Sequence, residues 1–444
     1  MSGNSQYRRV SPCLVFGFLL GMSLPPGAGA APRPQPAEDT GAGVLGLDRA
    51  VALALDGNPG LAEIRARAQA AAAVPPQAGS LPDPMVGFNA LNLPVDSFDR
   101  RQEAMTQMQF GISQELPFPG KLALKEKAAG FEAEAAGSSV EETRLRLISD
   151  VKVTWWRLFY VDRSLEIINR NQDLLRQFVE IAQTKYKVGE GLQQDVLLAQ
   201  VELSQLMDRA LQLEGTRRND VARLNALLHQ PANTPVVLPE TVAADLPDLL
   251  PGPKLFQMAD EARPRLAKSL SELHAADARL ELARKDRLPD FQVGALYGFR
   301  GGDNPDGSSR DDFASFRFNM SVPLYASRKQ NRAIDQRSSE RLAQRYALED
   351  ERVKVQADIS AALADYEQAR EQALLFETGI IPQARQTVAS MLAGYQVNKV
   401  DFLNLVRSQI TLYNHETRYW QALSEAQQAL AELSAAVGRE VIHE

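Results

Sequence analysis

Residues 110–135, FGISQELPFPGKLALKEKAAGFEAEA, begin with the alternation of a strand and end with the spacing of a helix, with Pro117, Pro119 and Gly120 between the two. Met108, Phe110 and Ile112 alternate with Gln107, Gln109, Gly111 and Ser113, a period of two that sends apolar and polar side chains to opposite faces. A second join of this kind, FNMSVPLYASRKQNRAIDQRSSERLA at residues 318–343, lies in the other half of the chain. One plan is therefore expected to be used twice.

Other positions pair at nearly the same spacing. Pro59 matches Pro264 at 205 residues, Asp83 of SLPD matches Asp290 of RLPD at 207, Phe110 matches Phe318 at 208, and Tyr186 matches Tyr395 at 209. So slow a drift marks an internal duplication, with a period too long for a solenoid. The first copy, 47–250, is expected to hold a helix, strands at about 85–95 and 105–117, a long helix 121–187, a tip 188–191 and a returning helix 192–229. A connecting segment, 230–252, leads to the second copy, 253–440, with a helix, strands at about 290–300 and 312–324, a long helix 328–396, a tip 397–400 and a helix 401–437.

The 444 residues include 24% charged side chains at a net charge of -7, which argues against a basic nucleic-acid-binding surface. Arg8 and Arg9, an apolar run at 10–24 and the small residues Ala28, Gly29 and Ala30 predict a cleavable leader, 1–30, followed by a flexible Pro-, Ala- and Gly-rich lead-in, 31–46. Cys13, the only cysteine, falls inside that leader, so no disulfide or cysteine-metal site is expected in the mature chain. His229, His274, His415 and His443 are widely spaced, and there is no H-E-x-x-H pattern or glycine-rich phosphate loop. Catalysis, a cofactor and a metal site are not expected.

Past the leader there is no uninterrupted run of about 18 apolar residues, so any membrane would have to be crossed by strands. The strand at 312–324 alternates Phe316, Phe318, Met320 and Val322 with Ser315, Arg317, Asn319 and Ser321; its partner alternates Phe291, Val293, Ala295, Tyr297 and Phe299 with Gln292, Gly294 and Gly298. Four such strands cannot close a membrane barrel, because known barrels start at about eight and an open edge in lipid leaves backbone groups unpaired. Several copies of the chain would have to share one barrel.

The helices are too long for a globular core: residues 121–187 at about 1.5 Å each reach about 100 Å. Ile148, Val151, Trp155, Leu158, Leu165, Leu175, Val179, Ala182 and Tyr186 recur at spacings suited to coiled-coil-like packing, as do Ile359, Leu363, Tyr366, Ala373, Ile380, Ala384, Val388, Met391 and Tyr395. Pro382 lies within the second long helix, where its missing N–H predicts a bend. The fold class is thus mainly α with a small β part, made of long helical hairpins.

This order of elements resembles the TolC-like outer-membrane efflux proteins over nearly the whole mature chain, through the duplication, the join QELPFPGK, the segment GIIPQARQTVASMLAGY before the second tip and YKVGEGLQQDVLLAQVEL around the first. The resemblance implies a homotrimer, with four strands per chain in a shared 12-stranded trimeric β-barrel above a periplasmic helical tunnel. It also implies an export channel without catalytic residues, docked on a periplasmic adapter protein and a proton-driven inner-membrane pump. Pro117, Pro119 and Gly120 would mark the passage from barrel to tunnel. The form QELPFPGK is most similar to the heavy-metal branch, while drug efflux and type I protein secretion share the architecture; a periplasmic coiled-coil adapter would explain the hairpins but not the strands.

Two candidate sites follow. Gly189, Glu190, Gly191, Asn398 and Lys399 occupy the tips and are expected to meet the adapter. Asp195 and Asp401 lie just beyond them, where copies converging on one axis would form a ring of carboxylates that favours cations. Asp195 also suits the start of a helix for the helix dipole alone. The second tip departs from the family in Asn398, where glycine is usual, and in Asn404 and Arg407, where the best-known members carry constricting aspartates.

Overall fold

A computed structural model describes residues 43–243, 245–397 and 399–439. The expected leader, with Cys13, most of the lead-in, Asn398 and His443 lie outside the described residues. The first half contains α1 (Leu47–Gly57), α2 (Pro59–Ala72), α3 (Val74–Gly79), β1 (Met85–Leu91), β2 (Gln107–Leu116), α4 (Lys121–Lys187) and α5 (Gln193–Leu227). The second contains α6 (Gly252–Ala262), α7 (Pro264–Lys285), β3 (Phe291–Arg300), β4 (Phe313–Met320), α8 (Gln330–Leu375), α9 (Ile381–Gln396) and α10 (Phe402–Val437).

The strands form one antiparallel sheet in the order β1-β2-β3-β4. Its register pairs Phe88 with Phe110, Phe110 with Tyr297, and Ala295 with Phe316, so that, with Leu296 and Phe313 among the exceptions, all four strands turn most of their large apolar side chains to the same face. That face is the open one. Phe316 is 89% exposed, whereas Gln107, on the polar face, is 6% exposed. A Cβ added at Gly111 would stand 2.9 Å from Leu296, and one at Gly298 would stand 2.1 Å from Gln107, so the polar face has room only for glycine there. The polar face is thus the crowded side of the sheet at β2 and β3, and the apolar face its open, outer side.

The helices wrap a core that runs along α4. Trp155 and Phe159 stack at 5.5 Å, and Trp155 Nε1 donates to the Leu45 carbonyl at 2.9 Å. The Leu45 N–H donates to Val237 O at 2.8 Å, so the last residues of the lead-in are anchored where the sequence predicts looseness. In the second half Ile359 and Tyr366 fill equivalent buried places on α8, and the Tyr366 hydroxyl donates to Pro247 O at 2.6 Å. The connecting segment has no long element of its own; Arg163, Arg217, Arg370 and Gln427 hold its carbonyls.

Helix α4 runs 67 residues without interruption. Its counterpart does not: a π-helical turn, Phe376–Ile380, separates α8 from α9, and Pro382 takes the second position of α9. Proline has no N–H for the carbonyl one turn back, and the wider turn absorbs the misfit without ending the helix. Beside it, Glu416 of α10 accepts from Arg385 at 2.9 Å and pairs with Arg170 of α4, tying three helices together.

Candidate functional site

At the join, β2 ends at Leu116, just before Pro117, and Gly120 caps α4 in the left-handed conformation, φ 87°. The turn is held from the other half. Asp290 accepts the Phe118 N–H at 2.7 Å and the Lys121 ammonium at 2.9 and 3.0 Å, and Lys121 also donates to Leu288 O at 3.1 Å. Lys121 is only 4% exposed, so its charge is matched where water does not reach it. The prolines were legible from sequence; this clamp was not, because it joins residues 169 positions apart.

The first tip is a complete Schellman turn. Gly189, at φ 80°, donates to Tyr186 O at 3.1 Å, and Glu190 donates to Lys185 O at 2.9 Å, which satisfies the last carbonyls of α4. The second tip makes the equivalent outer bond, Lys399 N–H to Gly394 O at 2.9 Å. The halves differ in one exchange of sizes. A Cβ at Gly191 would lie 2.9 Å from Lys185 Cβ and 3.0 Å from Tyr186 N, whereas at the matching pair a Cβ on Gly394 would lie 2.5 Å from Val400. Each tip thus has one side chain and one glycine at the crossing, in opposite order.

The two tips also touch. Lys185 donates to Tyr395 O at 3.2 Å with its ammonium 4.3 Å from the Tyr395 ring centroid, and Tyr395 meets Phe402 at 5.3 Å. Outside this contact Val188, Leu192, Val397 and Leu403 are exposed, an apolar patch beside Glu190 and Lys399 that sequence reasoning missed. Val188 and Val397 are repeat mates, which is the signal that could have found them.

Asp195 and Asp401 are brought together. Burial raises the Asp195 pKa, the Leu192 backbone N–H on its carboxylate opposes that rise, and the charge of Asp401 adds to it. Asp401 is the N-cap of α10, with no hydrogen bond from its side chain to the helix, and it is exposed. Asn404 and Arg407 are exposed on the next turn. Among the described residues no group of three or more His, Cys, Asp or Glu side chains is placed to hold a metal ion, and no helix is long and apolar enough to cross a membrane.

A sheet that is apolar outside and polar inside, continued into long helical hairpins, defines the protomer of a barrel-and-tunnel protein. The profile of the outer membrane efflux proteins matches residues 50–229 and 255–439, one stretch in each half, and the chain belongs to that family. It is 24% identical over 194 residues to the cobalt-zinc-cadmium resistance protein CzcC of Cupriavidus metallidurans, covering 43% of each chain. It is 25% identical over 244 residues to protein CyaE of Bordetella pertussis, covering 54% of this chain and 50% of that one. The matched part thus spans half or less of these relatives' length. The solved outer-membrane channel OprN superposes with a TM-score of 0.74 at 19% identity, covering 88% of this chain and 89% of that one.

Proposed function

We propose that the chain is one subunit of a homotrimeric exit duct, in which three copies close one barrel in the outer membrane and their hairpins form a tunnel into the periplasm. The observation that carries this reading is the inverted sheet: apolar side chains exposed, the polar face crowded along β2 and β3, and the outer sides of both edge strands unpaired among the described residues. Open edges cannot persist in lipid, so other copies must cover β1 and β4. The duct conducts passively and needs no catalytic group.

The tips supply the docking surface for a periplasmic adapter that joins the duct to a proton-driven inner-membrane pump; the exposed valines and leucines around Glu190 and Lys399 support this. Divalent metal cations are the substrate class, supported by the likeness to CzcC and by the paired aspartates behind the tips. Lipid seating is tested by placing tryptophan at position 316 or 315 in the purified protein and adding brominated lipid. Strong quenching for Phe316→Trp and weak quenching for Ser315→Trp is expected; the reverse order would refute the outward apolar face. A deletion strain should become sensitive to cobalt, zinc and cadmium, and sensitivity to organic toxicants alone would instead assign the duct to drug export.

A further inference from the structure

The two halves meet where β2 pairs with β3 and where α7 lies against α4, and Asp290 closes that seam on Lys121. We propose that the seam between copies repeats this contact, with Asp83 of one copy holding Lys329 of the next as Asp290 holds Lys121 within a chain. The inference rests on the shared-barrel reading above and names the groups that meet in it.

The repeat places both partners. Leu81-Pro82-Asp83 precedes β1 as Leu288-Pro289-Asp290 precedes β3. Lys329 follows Lys121 by the 208 residues that separate Phe110 from Phe318, and it caps α8 where Lys121 opens α4. In the isolated chain Asp83 and Lys329 are both exposed, and among the described residues neither side chain has a hydrogen bond or an ion pair. Opposite charges stand at matching ends of the two free edges.

The strand register agrees. Within the chain Phe110 pairs with Tyr297. Moved by the repeat, that pair becomes Phe318 of one copy and Ala90 of the next, both on the apolar face. A slip of one residue would turn the phenylalanines of β4 to the polar side.

The helices give independent support. Leu197, Val201, Met207 and Leu211 form an exposed stripe on α5; their repeat mates on α10 are Val406, Ile410, Glu416 and Trp420, which lie in or against the core beside α4. Leu197 is 53% exposed and Val406 is 1% exposed, although they hold the same place in the two halves. The first half lacks the cover that the second half receives inside the chain, and a neighbouring copy supplies it.

The test uses full-length protein with Cys13 replaced by serine and Asp83→Cys with Lys329→Cys, treated with a short bismaleimide in outer-membrane preparations. Lys121→Cys with Asp290→Cys is the control that links within one chain. A denaturing gel should show two- and three-copy species for the first pair, none for either single cysteine, and none for the control. As a second measurement, Asp83→Lys should lower the temperature at which the trimer is lost, and Asp83→Lys with Lys329→Asp should restore it. Native mass spectrometry of each variant separates the two claims. A trimer with neither cross-link nor charge-swap rescue overturns the clamp and leaves the shared barrel standing; a protein that is monomeric in every variant overturns both.

Discussion

The exchange of sizes at the tips makes a sharp prediction. Gly191→Val places a branched side chain where even a Cβ would stand 3.0 Å from the Tyr186 N and 2.9 Å from Lys185 Cβ, so the turn must open. Overpacking of this kind costs about 2 kcal/mol, enough to speed exchange of the Schellman amides by about 30-fold when opening is the limiting equilibrium. Lys185→Gly alone costs about 1 kcal/mol through helix propensity and also loses the contact with Tyr395. Together the two changes recreate the pair that Gly394 and Val400 form in the second tip, so the double variant should be less destabilised than the sum, by about 1 to 2 kcal/mol of coupling. Hydrogen exchange at Gly189 and Glu190 reads all four corners of the cycle. Additive effects, or a Gly191→Val tip that exchanges at the native rate, would refute the crossing.

Five further outcomes are expected. Lys121→Met should lower the stability of the join by about 2 kcal/mol, because it leaves Asp290 without its cation while the Phe118 N–H remains; thermal unfolding of the purified protein checks this. Val188→Asp with Val397→Asp should abolish export and leave oligomer and turn unchanged, since both side chains are exposed; export equal to wild type would exclude the tips from docking. Because the Asp195 pKa is raised, the folded tip takes up a proton more readily than the unfolded chain, and stability gained on acidification should vanish in Asp195→Asn. In bilayer recordings Asp195→Asn with Asp401→Asn should also reduce cation preference at neutral pH, and unchanged selectivity would remove these aspartates from the constriction. Burial pushes the Tyr366 hydroxyl up to about 12, so folding should weaken as pH rises from 10 towards 12, and Tyr366→Phe should remove that drop.

The mainly helical fold with four strands could be read from the sequence because periodicity and repetition are local properties. Phe316, Phe318 and Met320 against Ser315 and Arg317 need only a pattern of two, and the pairs Phe110 with Phe318 and Tyr186 with Tyr395 need only a fixed spacing. Contacts between the halves were not legible. Nothing near Asp290 in sequence shows that it closes on Lys121, and nothing near Pro382 shows that a π-helical turn, rather than a break, accommodates it. Burial of single residues was also hidden: Gln107 is covered and Phe316 is open, which depends on how the strands are crowded on one face and not on the local pattern. The partnership of Asp195 with Asp401 depends on two hairpins meeting at their ends, which no single segment encodes.

The central claim is that one chain cannot complete the barrel and three copies do. Native mass spectrometry of the detergent-solubilised protein tests it most directly. One dominant species of three chains is expected, and a stable monomer that inserts into lipid and conducts ions would refute the shared barrel.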